Sequence, residues 1–312
     1  MRFRIVPSVI LMLFFSIFPL RRDVRLPAIM DEISLDDLKR HVTALHFDRS
    51  PYGHDPGPER AVQYIQREIL KLGLNVKEDF FEWEGKSYRN LIAEKKGAVY
   101  PERIFIVGAH YDTVPGSPGA DDNASAIAVL LEVARCIQKM SLDSTIRLIA
   151  FDLEEYGFVG STHYAEKAKR AKENVLGMIS LEMVGYTHPK QNYPSYLNAK
   201  DYPHAGDFIG IIGNERSREF LERVYASFKR NIPQLPVESL LTPGNGEGME
   251  EATLSDHSPF WDRGFPALMI TDTAFLRNPN YHLPSDTLET LDFEFMRKVA
   301  AGVYYSIVDL AK

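Results

Sequence analysis

Residues 103–108 read Arg-Ile-Phe-Ile-Val-Gly, and His110, Tyr111 and Asp112 follow almost at once. A short, almost wholly apolar run of this kind predicts a strand buried on both faces. Runs at 145–151 and 175–181 repeat it, with helices predicted at 124–139 and 161–172 between them. Such alternation predicts an α/β fold, a single domain with a mixed, mainly parallel central sheet flanked by helices on both faces. Working outward, 34–45 predicts a helix capped by Ser34 with Leu35, Leu38, Val42 and Leu45 on one face, and 58–72 repeats that pattern. Two strands, 75–83 and 88–94, turn at Gly85. The segments 207–212, 217–229, 237–241, 267–271 and 292–311 extend the alternation to the end. Two long loops rich in proline and glycine, 186–204 and 242–253, are left over, and long loops in compact domains are often functional.

Composition narrows the class. The net charge is −7 and no basic run resembles a nucleic-acid footprint, so nucleic acid is excluded as a partner. The one cysteine, Cys136, excludes an intrachain disulfide framework and reads as a buried apolar residue of a helix. The amino terminus stands apart. Arg2 and Arg4 precede an apolar run at 5–20, and Arg21, Arg22 and Arg25 follow it. Residues 1–27 therefore read as a signal peptide or an N-terminal membrane anchor, with 28–312 the catalytic domain. That predicts a secreted, periplasmic or membrane-anchored protein facing outside the cytoplasm, with 5–20 the means of any membrane association. Pro7 and Pro19 make the run short for a spanning helix.

In parallel sheets, ligands bind at the carboxyl ends of the strands. His110 and Asp112 follow the strand at 103–108, Asp152, Glu154 and Glu155 follow 145–151, and Glu182 follows 175–181. Asp121, Asp122 and Asn123 precede a helix, and His282, with Asp286 four residues on, lies in the loop before the last helix. Taken singly, an Asp before a helix reads as an N-cap and a Glu-Glu pair as solvated surface. Together these residues reach one edge of one sheet by topology. Imidazole and carboxylate are the ligands a divalent transition metal such as Zn²⁺ accepts. Two such metals need a bridging carboxylate, and a further free carboxylate must move the proton of the attacking water.

At these residues the chain resembles the di-zinc aminopeptidase family that includes aminopeptidases S and Y, glutamate carboxypeptidases and glutaminyl cyclases. The matching segments are Gly-Ala-His-Tyr-Asp-Thr-Val at 108–114, Pro-Gly-Ala-Asp-Asp-Asn-Ala-Ser at 118–125 and Leu-Glu-Glu-Tyr-Gly at 153–157. Leu-Glu-Met-Val-Gly-Tyr at 181–186, Ser-Asp-His-Ser-Pro-Phe at 255–260 and Tyr-His-Leu-Pro-Ser-Asp at 281–286 complete the set, in family order. The resemblance implies a zinc exopeptidase-like fold with His110, Asp121, Glu155, Glu182 and His282 as metal ligands. Asp121 would bridge two zinc ions, Glu154 would be the general acid/base, and Asp112 would hold the His110 imidazole. It also implies a cis peptide between Asp121 and Asp122. Two departures stand out. Glu182 takes a position where many members carry Asp, which leaves two zinc ions or one open. The tyrosine that several aminopeptidases carry just before Ser-Asp-His is absent, so either another group such as Tyr186 or Tyr281 polarises the substrate carbonyl, or the metal carries more of that work.

The function expected is a metallo-aminopeptidase acting on N-terminal residues of peptides. Glutaminyl cyclisation with one zinc is the rival. A carboxypeptidase would need a cationic pocket from Arg263 or Arg277, and a non-catalytic ectodomain is the remaining alternative. Ser255, Asp256 and His257 read as shaping the substrate pocket, since no nucleophile elbow accompanies them.

Overall fold

The protein is described from a computed structural model covering residues 29–53 and 56–312. The expected leader at 1–27 lies outside the described residues. Among the described residues, no helix is long and apolar enough to cross a membrane.

One sheet carries β1 (Val76–Trp83), β2 (Lys86–Lys95), β3 (Tyr100–His110), β4 (Ser144–Phe151), β5 (Asn174–Glu182), β6 (Ile209–Asn214), β7 (Val237–Thr242) and β8 (Ala267–Thr271). The strands lie in the order β1-β2-β4-β3-β5-β8-β6-β7. From β4 through β3 and β5 to β8 the strands run parallel; β6 and β7 are parallel to each other and join β8 antiparallel. β1 and β2 form the antiparallel hairpin at the opposite edge. Glu84 and Gly85 close it with φ values of 48° and 73°, which a two-residue turn matched to strand twist demands.

The helices are α1 (Ile29–Glu32), α2 (Leu35–Leu45), α3 (Gly57–Lys71), α4 (Ala126–Gln138), α5 (Val159–Ala171), α6 (Arg218–Asn231), α7 (Ser258–Asp262) and α8 (Phe293–Ala311). Ser34 caps α2 by accepting the amide of Asp37 at 3.1 Å, as its position predicts. Alternate residues of each central strand serve two cores. Phe105, Val107 and Ala109 of β3 enter the larger core with α2, α3, α4, α6 and α8. Ile104 and Ile106 enter the smaller one with α5 and α7. Burial on both faces is why 103–108 reads as an unbroken apolar run. β3 begins earlier than that run, because Tyr100, Pro101 and Glu102 are exposed and interrupt the pattern.

Chain direction sets where a ligand can bind. β3 connects to β4 through α4 on one face, and β4 connects to β5, on the far side of β3, through α5 on the other. The strand order therefore reverses at β3, and a crevice opens at the carboxyl ends there. The smaller core stops at Ile212. Beyond it, a cleft lined by residues of 191–202 and 251–254 lies over β6, β7 and β8.

Candidate metal centre and active site

His110 is the last residue of β3. Its Nε2 lies 3.3 Å from Asp122 Oδ1, 3.5 Å from Glu182 Oε2 and 4.0 Å from Glu154 Oε2. The other Asp122 oxygen, Oδ2, is 3.2 Å from His282 Nε2, which in turn is 2.9 Å from Glu155 Oε2. One carboxylate thus joins two imidazoles, each of which has a further carboxylate of its own. Behind His110, Asp112 Oδ1 is 3.4 Å from Nδ1. Asp112 also accepts the backbone amides of Glu154 and Glu155 at 3.1 and 3.2 Å. It therefore faces the imidazole while it holds the turn after β4.

The backbone around these groups is strained. Leu153, Met183 and His282 have φ of 55°, 42° and 60°. Each left-handed non-glycine residue costs of order 1–3 kcal/mol, and such residues persist where surrounding structure enforces them. Here they flank Glu154 and Glu182, and one is an imidazole donor itself.

The expectation for Asp121 is corrected by one residue. Asp122, not Asp121, lies between the two imidazoles, and the cis peptide joins Asp122 to Asn123. Asp121 turns the other way: Oδ1 accepts the Gly185 amide at 2.9 Å and Oδ2 accepts Asn278 Nδ2 at 2.7 Å. A Cβ at Gly185 would stand 3.0 Å from that Asp121 oxygen, tighter than ordinary van der Waals contact. The cause is the anchoring of the backbone. Asp286 accepts the amides of Asp121 and Asp122 at 2.9 and 3.0 Å. Asn123 donates to Leu181 O at 3.0 Å and accepts the Met183 amide at 2.9 Å. Neither Asp122 nor Asn123 caps α4 through its side chain.

The Ser-Asp-His segment is also reassigned. Ser255 Oγ donates to Glu182 Oε2 at 2.8 Å and lies 3.0 Å from Ser180 Oγ. His257 Nε2 meets Ala252 O at 2.9 Å and its ring stands edge-on to Trp261. All three residues are buried and none lines the cleft. Ser255 holds Glu182 on the cluster, and His257 packs against Trp261.

Nearly all of these groups are buried, which is costly for charges without a partner. Burial, with Asp122 close by, pushes Glu155 up to about 8. Burial likewise drives Glu154 well above the usual carboxylate range, helped by Glu182, Glu155 and Asp256. For His110 burial opposes charge, but Glu154, Glu182, Asp112 and Asp122 outweigh it and raise its pKa strongly. For His282 the same balance, set by Asp122 and Glu155, lifts the pKa to about 10. His110 Nε2, His282 Nε2 and Glu155 Oε1 have no hydrogen-bond partner among the described residues. Donor atoms of His110, Glu154 and Glu182 lie within 4.8 Å of one another, as do those of His110, Asp122 and Glu155. Convergent carboxylates and free imidazole nitrogens suit divalent cations, and zinc above all.

Residues 90–307 match the model of Peptidase family M28. The chain belongs to this family. It is 35% identical over 285 residues to uncharacterized protein YfbL of Escherichia coli K12, covering 86% of this chain and 85% of that protein. It is 31% identical over 230 residues to aminopeptidase YwaD of Bacillus subtilis, covering 69% of this chain and 44% of YwaD. The fold is that of Legionella pneumophila LapA (TM-score 0.74, 21% identity, 96% of this chain and 79% of that one). It is also that of Porphyromonas gingivalis glutaminyl cyclase (TM-score 0.69, 20% identity, 88% and 98%).

Two further features of this M28 chain bear on its chemistry. Tyr281 stacks on His282 with ring centroids 3.7 Å apart and lines the cleft, whereas Tyr186 stacks on His188 outside it. The two arginines that a carboxypeptidase would need are engaged elsewhere. Arg263 pairs with Glu166 at 2.6 Å and Arg277 donates to Gln191 at 2.8 Å, and neither lines the cleft. Sequence reasoning missed Arg49, which is fully buried and donates to Tyr111 O, Pro118 O and Gly119 O at 2.7, 3.0 and 2.9 Å. It ties down the M28 loop between His110 and Asp122. A lone arginine outside any motif gives no sequence signal for that role.

Proposed function

We propose that this chain is a zinc-dependent aminopeptidase that hydrolyses the N-terminal peptide bond of its substrate. The observation that carries the reading is Asp122, whose two oxygens face His110 and His282 separately. His110, Asp122 and Glu182 would hold one zinc ion, and Asp122, Glu155 and His282 a second. Zinc bound there supplies Lewis acidity, polarising the scissile carbonyl and lowering the pKa of water. Glu154 is beside the cluster without contacting His282, and takes the proton that water loses and returns it to the leaving amine. Its carboxyl lies 4.0 Å from His110 Nε2 and lines the cleft, so it can reach a water held at the cluster. Asp112 keeps the His110 imidazole oriented, with Nδ1 toward the carboxylate and Nε2 toward the cluster. The carboxylates left in the cleft favour a protonated α-amine. Tyr281 is the phenol available beside the scissile carbonyl.

Release of nitroaniline from aminoacyl-nitroanilides should stop in chelator and return with zinc. Hydrolysis that continues in chelator rejects the metal reading. Elemental analysis of the active protein gives the number of ions. An N-terminal glutamine peptide separates this reading from cyclisation, which would release ammonia and leave the peptide bond intact. The apolar run at 5–20 between basic residues supports export, and N-terminal sequencing of protein from the cell envelope tests whether residues 1–27 are removed.

A further inference from the structure

A cleft of about 250 Å³ runs from the metal-binding carboxylates across the sheet face beyond the smaller core. Part of its floor is a single row of the sheet. Glu182 on β5 is paired with Thr271 on β8, Thr271 with Gly210 on β6, and Gly210 with Glu238 on β7. Residues directly opposite across paired strands point to one face, and all four line the cleft. At about 4.8 Å per strand, the row spans about 14 Å between the Cα atoms of Glu182 and Glu238.

Gly210 leaves a gap in the middle. A Cβ built there would make ordinary van der Waals contact with Thr271 O at 3.4 Å and with the methyl groups of Thr273 and Thr271, and Gly210 itself lines the cleft. The walls are apolar and aromatic, with Tyr193, Leu197, Tyr202, Phe208 and Met269 among them. At the far end is Glu238, half-buried; burial raises its pKa against the pull of Lys229. It forms no ion pair with a described residue. The lining includes Asp122, Glu154, Glu155, Glu182, Glu238 and Glu251, with no lysine or arginine among the described residues.

We propose that this row is the subsite for the substrate's N-terminal side chain, and that Glu238 selects a long side chain ending in a cation, arginine or lysine. The inference rests on the aminopeptidase reading above. Both side chains combine an apolar stem, which the aromatic walls and the Gly210 gap accommodate, with a charged head that must find a partner when taken out of water. Glu238 supplies that partner as a charge-assisted hydrogen-bond acceptor. A leucine side chain ends before reaching it.

The test uses the zinc-loaded full-length enzyme and nitroanilides of arginine, lysine, leucine and alanine. Wild type should favour arginine and lysine over leucine at least tenfold in kcat/KM. In Glu238→Gln the arginine-to-leucine ratio should fall 10- to 100-fold, and in Gly210→Val the arginine-to-alanine ratio should fall at least tenfold. A ratio measured within one variant is insensitive to any loss of folded protein. Preference for leucine in the wild type, or an unchanged ratio in Glu238→Gln, overturns the subsite and leaves the aminopeptidase reading standing. Failure to hydrolyse any of the four overturns both.

Discussion

Asp286 accepts the backbone amide of Asp122 at 3.0 Å through Oδ2, while its Oδ1 takes the amide of Asp121. It lies four residues after His282, so one short segment supplies an imidazole and the anchor for the carboxylate facing it. Removing that anchor frees the Asp122 backbone and leaves two buried amides unpaired. Asp286→Ala should weaken zinc binding by about 10- to 100-fold, the usual effect of losing an outer-shell partner. Competition with a chromophoric chelator measures it, and unchanged affinity would mean the loop holds itself.

Asp121 and Asp122 are adjacent and chemically identical, yet their substitution should differ. Asp122→Asn removes the carboxylate shared by both imidazoles and should abolish stable binding of both ions. Asp121→Asn disturbs the contacts to Gly185, Asn278 and the neighbouring Asp272, none of them an imidazole of the cluster, so metal should be retained with lower thermal stability. Elemental analysis of the two purified variants decides, and the reverse pattern would return the bridging role to Asp121.

Glu154→Gln should keep the metal and lose about 10²- to 10⁴-fold in kcat, the range for removal of a general acid/base. Metal content and kcat must be read on the same sample. A variant that loses metal would exchange the roles of Glu154 and Glu155.

His41 predicts a pH effect remote from the metal. It is buried with Nδ1 2.8 Å from Tyr64 Oη, and burial, with Arg40 beside it, pushes its pKa from 6.5 down to about 4. The folded chain keeps this imidazole neutral where the unfolded chain protonates it. Between about pH 6.5 and 4 the unfolded state therefore binds the extra proton, and stability falls as pH is lowered through that window. The effect reaches at most ~3 kcal/mol. Thermal unfolding of wild type and His41→Gln across this range checks it: the wild type should show the steeper decline, and parallel curves would discount His41.

Much of this protein is legible in its sequence because burial writes itself into periodicity. The continuous apolar runs at 103–108, 145–151 and 175–181 read as strands covered on both faces, and their order with α4 and α5 between them brings His110, Glu154, Glu155 and Glu182 to one edge. Those four residues, with His282, stand at strand ends and in motifs that the sequence displays. What the sequence by itself could not decide is direction. Asp121 and Asp122 are neighbours of the same kind, and the choice between them is made by Asp286 and Asn123, which bond the chain from the 281–286 loop and from β5. Ser255 acquires its role only because the loop carrying it folds against Glu182, and Arg49 only because a loop from elsewhere closes around it. The row from Glu182 to Glu238 exists solely through cross-strand register, which joins residues far apart in the chain. Local sequence fixes which residues are buried and which element each belongs to. Where a side chain points, and which charge it meets, depends on hydrogen bonds that only the assembled sheet and loops provide.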